Sequence, residues 1–222
     1  MARYRYLMLD GTFLQHRNGI FAVMDGSTHR VLYGAYGVKE GPPHLLPFCL
    51  YLQRQGVEPK SATIDGNPHI FSAVKEVWPH IVIQRCLIHV QRQGLSWCRQ
   101  HPKRTDAQKL RRLLLGILKI HSKTQRRAFL HAFRQWNNTY GERLANTSNR
   151  GWVTSDLQRA RSMLIKAMPY LFNYLMDKRI PRSTNALEGY FSRLKQRYRQ
   201  HRGLHPRQRL DYFQWYFYLC PR

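Results

Sequence analysis

Acidic side chains are scarce in this 222-residue chain: 12 Asp and Glu stand against 37 Lys and Arg, a formal charge of +25 with histidine neutral. A compact chain so charged repels itself unless a polyanion or salt compensates, which points to nucleic acid ahead of an anionic membrane surface. Cysteine is rarer still. Cys49, Cys86, Cys98 and Cys220 are scattered without a CxxC pair, which argues against a disulfide framework and for reduced thiols. Long apolar runs are absent too. The longest, Leu113 to Leu118, is broken by Gly116 and falls far short of the roughly 20 residues of a membrane-spanning helix. The apolar stretch before Asp10 is too short for a signal peptide, so an intracellular protein is expected. No internal repeat or low-complexity segment stands out. What is present is a hydrophobic fraction of 43%, enough for one substantial core with a subsidiary helical unit.

The pattern predicts an α/β protein in three blocks: residues 1–102, 103–177 and 178–222. In the first, Tyr4-Arg-Tyr-Leu-Met-Leu reads as a buried strand ending at Asp10-Gly11. Gly19 to Met24 and Arg30 to Tyr36 flank the turn-rich Asp25-Gly26-Ser27-Thr28-His29, giving an antiparallel meander. After Pro42-Pro43 a helix is expected over 44–55, closed by Gly56. Ser61 to Ile64 is a fourth strand, again ending at Asp-Gly (Asp65-Gly66). A helix through Ile70, Phe71, Val74 and Val77 follows and stops at Pro79. Ile81-Val82-Ile83 is a fifth strand, leading into a helix from about Leu87. The second block has helical spacing throughout, as in Leu110, Leu113, Leu114, Ile117 and Leu118. Between Asp106 and Glu142 it holds eight Lys and Arg and no acid. A purely solubilising face normally mixes signs. The third block opens a helix after Ser183-Thr184-Asn185, with Leu187, Tyr190, Phe191, Leu194 and Tyr198 as its apolar stripe. An aromatic tail, Asp211 to Leu219, is expected to pack a last helix on the core.

Three of the scarce acids suit a metal-dependent nuclease. Two-metal phosphodiester chemistry needs hard oxygen ligands converging on divalent ions about 4 Å apart. Asp10 and Asp65 at adjacent strand ends, with Glu188 on a helix crossing the sheet, would supply them. Asp-Gly also marks turns, the natural reading of Asp25-Gly26. Taken alone, Asn185-Ala-Leu-Glu188 fits a capping box equally well, with Asn185 as N-cap. Cys86 and His89 share one helix face at i and i+3, but a structural zinc site needs a second pair that is not there. A buried Cys and a hydrogen-bonded His are expected. Arg193, Lys195, Arg197, Arg199 and Arg202, with His201, run along the helix after Glu188 and suit phosphate contacts, which position DNA without reading it.

Strand-Asp10-Gly, strand-Asp65-Gly, Gln84-Arg85-Cys86-Leu87-Ile88-His89, the long basic helical stretch and Thr184-Asn185-Ala-Leu-Glu188 together resemble the DDE transposases of the Mutator-type bacterial insertion sequences. The resemblance spans nearly the whole chain. It implies a ribonuclease H-like fold with a helical insertion between the second Asp and the Glu. It also implies Asp10, Asp65 and Glu188 as catalytic acids binding two magnesium ions, with manganese able to substitute. Cys86 and His89 are then a family motif that organises the neighbourhood of the site. The implied activity is cleavage and strand transfer at transposon ends, with transposon and target DNA as partners. A homodimer or higher synaptic assembly and a bacterial, cytoplasmic, nucleoid-associated setting go with it. Family members carry a long N-terminal region that recognises the element's ends, whereas Asp10 lies nine residues after Met1; that region is expected to be missing. Two alternatives use the same features: a nuclease or resolvase without strand transfer, and a non-catalytic DNA-binding remnant.

Overall fold

Alternation of apolar residues before residue 86 resolves into a five-stranded mixed sheet of order β3-β2-β1-β4-β5. Its strands are β1 (Tyr6–Phe13), β2 (Gly19–Asp25), β3 (Val31–Tyr36), β4 (Ser61–Ile64) and β5 (Val82–Arg85). A computed structural model describes residues 5–14, 19–38, 41–146, 152–201 and 203–222. The chain divides into two units, one of Met1–Cys86 with Asp177–Arg222 and one of Leu87–Met176.

In the first unit β1, β2 and β3 form the expected antiparallel meander, and β4 and β5 extend it in parallel. Asp25 closes the β2–β3 turn, its carboxylate accepting from the Thr28 N–H at 2.9 Å and hydroxyl at 2.6 Å. The parallel strands are joined through α1 (Pro42–Arg54) and α2 (Pro68–Val77). α1 starts two residues earlier than the sequence suggests, because Pro42 and Pro43 sit at its first positions, where a missing N–H costs no hydrogen bond. Gly56, at φ +76°, ends it with the two bonds of a Schellman motif, Gly56 N–H to Gln53 O at 2.9 Å and Val57 N–H to Leu52 O at 3.1 Å. β5 lies later than expected, because the Ile81 N–H bonds to Trp78 O in the preceding turn.

Period-two alternation then assigns the faces. Phe21 and Tyr33 meet α1 through Phe48, each at 4.9 Å between ring centroids. Met8, Ile20, Ala22 and Met24 turn the other way, onto α7 (Asn185–Arg199) and α8 (Pro206–Leu219). There Leu187, Tyr190, Phe191, Leu194 and Tyr198 are buried as the stripe predicts. Each large apolar side chain so buried stabilises the fold by roughly 1.5–3 kcal/mol. α8 approaches the edge strand so closely that a Cβ on Gly34 would run into the Phe217 ring.

The second unit is helical among the described residues: α3 (Leu87–Cys98), α4 (Thr105–Gly116), α5 (Lys123–Asn146) and α6 (Trp152–Ala167), followed by short 3-10 turns. α3 and α4 pack where Gly94 admits the Leu114 side chain. Trp136 of α5 donates to the Asp106 carbonyl of α4 at 2.8 Å. Burial pushes the Asp106 carboxyl up, but Arg104, the Ala107 N–H and Arg143 outweigh it and hold the group below its usual range. The Lys and Arg of the acid-free stretch are exposed, except Arg111 and Arg126, which are half-buried. No helix is long and apolar enough to cross a membrane among the described residues.

Candidate active site and nucleic-acid interface

The β1–β4 ladder ends at Leu9↔Ile64, so Asp10 and Asp65 stand one residue beyond the last paired position on adjacent parallel strands. They are level with each other at one end of the ladder. The expectation that Asp10 ends its strand is corrected: β1 runs on to Phe13 because β2 continues to pair with it, from Asp10↔Ala22 to Phe13↔Gly19. β4 and β5 both stop at this level, at the Ile64↔Arg85 pair. Asp10 shares the face of Met8, the face α7 covers, and is buried. One of its carboxylate oxygens lies within 4.8 Å of one from Glu188.

Asp65 is held differently. Its Oδ1 accepts from the Gly66 N–H at 2.5 Å and the Asn67 N–H at 2.9 Å, a turn that fixes the carboxylate at the mouth of β4 and leaves Oδ2 for other partners. Gly66 carries Arg85 against its backbone so tightly that a Cβ there would strike the guanidinium. Burial lowers the Arg85 pKa, while the charge of Asp65 works the other way. Arg85 is thus a cation beside the second acid that the sequence showed only as part of a motif.

The capping-box alternative for Glu188 does not hold. The N-cap of α7 is Thr184, with no side-chain cap bond, so Glu188 is the fourth helical residue and not the third. Thr184 instead donates from its N–H and hydroxyl to the Cys86 sulfur, at 3.4 and 3.6 Å. Cys86 is fully buried, and its own N–H bonds Ile64 O at 2.8 Å. The segment entering α7 is tied to three adjacent strands in turn. Tyr6 of β1 donates to Asp177 at 2.7 Å, Thr63 of β4 donates to Pro181 O at 2.7 Å, and Cys86, after β5, receives Thr184. Asp177 is also gripped by Arg179 at 2.9 Å on each oxygen, which with the Tyr6 hydroxyl holds its carboxyl well below the usual range. These bonds set where Glu188 stands. His89, the other half of the sequence motif, lies in the first turn of α3, within the second unit.

Beyond Glu188, α7 presents Arg193, Arg197 and Arg199 to solvent, with Lys195 half-buried. Burial, then the charge of Arg199, lowers the Lys195 pKa. The Arg193 and Arg197 guanidinium groups lie 6.0 and 5.9 Å from the Tyr190 and Tyr216 rings, which fixes their direction. Arg202 lies outside the described residues.

An α/β protein with an acidic corner on its sheet and a row of cations along the adjoining helix belongs to the class that handles nucleic acid. The chain belongs to the Mutator family of transposases, whose family model matches residues 2–210. A comparison with curated proteins finds no match. The family makes it a protein of mobile genetic elements whose substrate is DNA.

Proposed function

We propose that the first unit is a ribonuclease H-like catalytic domain, interrupted by the helical stretch expected over 103–177 and here compact from Leu87. In this reading it cuts DNA at transposon ends and transfers the freed strand into a target. The observation that carries it is the approach of Asp10 and Glu188 to within 4.8 Å, with Asp65 outside that group, one residue past the last β1–β4 pair on the neighbouring strand. A cation shared between two carboxylates so close offsets the repulsion between their charged forms. The oxygen donors of all three suit a hard divalent cation such as magnesium or manganese.

Asp10, Asp65 and Glu188 would hold the two metal ions. Bound there, the metals supply activation of the attacking hydroxyl and stabilisation of the leaving oxygen. The protein's own part is orientation. Asp65 is set by the Gly66 and Asn67 N–H groups. Glu188 is set by the tie from Cys86 to Thr184. Arg193, Lys195, Arg197 and Arg199, with Arg202, bind phosphates and hold the DNA in register with the acids. A synaptic dimer or larger assembly would bring two element ends together.

Incubation of a labelled terminal-repeat duplex with the protein and magnesium tests this. Asp65→Asn and Glu188→Gln should each lower cleavage by at least about 100-fold, the effect of losing several kcal/mol of electrostatic stabilisation. Undiminished cleavage in either variant defeats the assignment. Cleaved ends that never join to target would leave a nuclease without strand transfer.

A further inference from the structure

α8 divides its aromatic residues between two environments. Phe213, Tyr216 and Phe217 are buried, whereas Trp215 is 61% exposed and Tyr218 76%. The exposed pair is in edge-to-face contact, 6.0 Å between centroids at 80°, so the indole is held as a platform. Beside it lies a cavity of about 430 Å³ whose lining includes Arg197, Gln200, His201, Tyr212, Trp215 and Tyr216 and, among the described residues, no acid. Arg197 is anchored by a bond to the Cys220 sulfur at 3.1 Å and by the Tyr216 ring, yet stays exposed. The His201 ring stands 5.2 Å from Tyr212.

Such a cavity fits a flat neutral ring joined to a negatively charged group. We infer that it binds one nucleotide of single-stranded DNA, an unpaired base stacking on Trp215 while Arg197 and His201 face its phosphate. Aromatic platforms interleaved with cations recognise single strands in this way, because every base offers a π-face. Duplex DNA does not offer it, since its bases are stacked on one another. A second copy of the chain is a poor occupant, because it would bring another net charge of +25 against Arg197 and His201. The site rests on the reading of the protein as acting on DNA, but needs neither metal nor the three acids.

Binding of the full chain to a fluorescent 12-nucleotide oligothymidine and to a duplex of the same length, both in EDTA, tests it by anisotropy. Trp215→Ala should weaken single-strand binding about 5- to 140-fold, the range for losing one base–aromatic stack. Duplex binding and the salt dependence should stay as they are, and Trp215→Phe should restore most of the affinity. Trp215 is exposed, so the circular dichroism of both variants should match the parent. An equal loss on both DNAs, or no loss on the single strand, overturns the site. So does a parent oligomer that Trp215→Ala dissociates in sedimentation, which would make this face a subunit contact. With no metal in the assay, failure of the catalytic reading leaves this result unmoved.

Discussion

Cys86 and Thr184 lie 98 residues apart in sequence and share a buried hydrogen bond, and on that pair the placement of Glu188 turns. Cys86→Ala removes the acceptor of both the Thr184 N–H and its hydroxyl. It should cost about 1–3 kcal/mol in urea unfolding, the penalty for disturbing a buried polar pair. Cys86→Ser keeps an acceptor and should cost less. Equal stability of the two variants would remove the bond from the account. The same pair explains what the sequence showed and hid at this site. Asp10 and Asp65 were legible because each closes an apolar run. Asn185 looked like an N-cap by type, but which residue caps α7 depends on a distant partner, Cys86 just after β5, that local spacing does not reveal. Four other acids are held by local partners: Asp25 closes a turn, and Asp106, Asp156 and Asp177 are paired with arginine.

At the scale of elements, ends were harder to read than existence. All five strands and the helices around them follow from periodicity, yet β1 outlasts its expected end because β2 keeps pairing with it, a decision made by its neighbour. α8 shows the converse difficulty. Its residues Tyr212 to Leu219 are almost all apolar or aromatic, so no stripe separates the core-facing Phe213 and Phe217 from the exposed Trp215. Two glycines at helix ends make a sharp comparison. Gly56 takes φ +76°, where a Cβ is strained, so Gly56→Ala should destabilise the fold by about 1–2 kcal/mol. Gly116 has an ordinary φ of −77°, and a Cβ there would meet nothing within 4 Å. Gly116→Ala should be neutral or gain up to about 1 kcal/mol. Thermal unfolding of the two variants checks the contrast, and a destabilised Gly116→Ala would contradict it.

For the molecule as a whole, the formal charge of +25 predicts that DNA affinity is dominated by counterion release. If the five cations of the α7 region each neutralise one phosphate, the slope of log K against log salt should be about −4.5, at roughly −0.9 per contact. Contacts from the exposed cations of α4 and α5 would steepen it. A salt titration of duplex binding measures this, and a slope near zero would deny phosphate contacts any role. No change of composition marks Cys86 from Leu87, where the two units divide, and β5 passes into α3 within a residue. That arrangement has a consequence for how the chain is made. The apolar face of Met8, Ala22 and Met24 is complete early in synthesis, but its cover, α7 and α8, comes after the whole helical unit. At 5–20 residues per second the wait is on the order of ten seconds. During it a growing chain leaves that face uncovered, so the order of its segments predicts an interval in which chaperones can bind it.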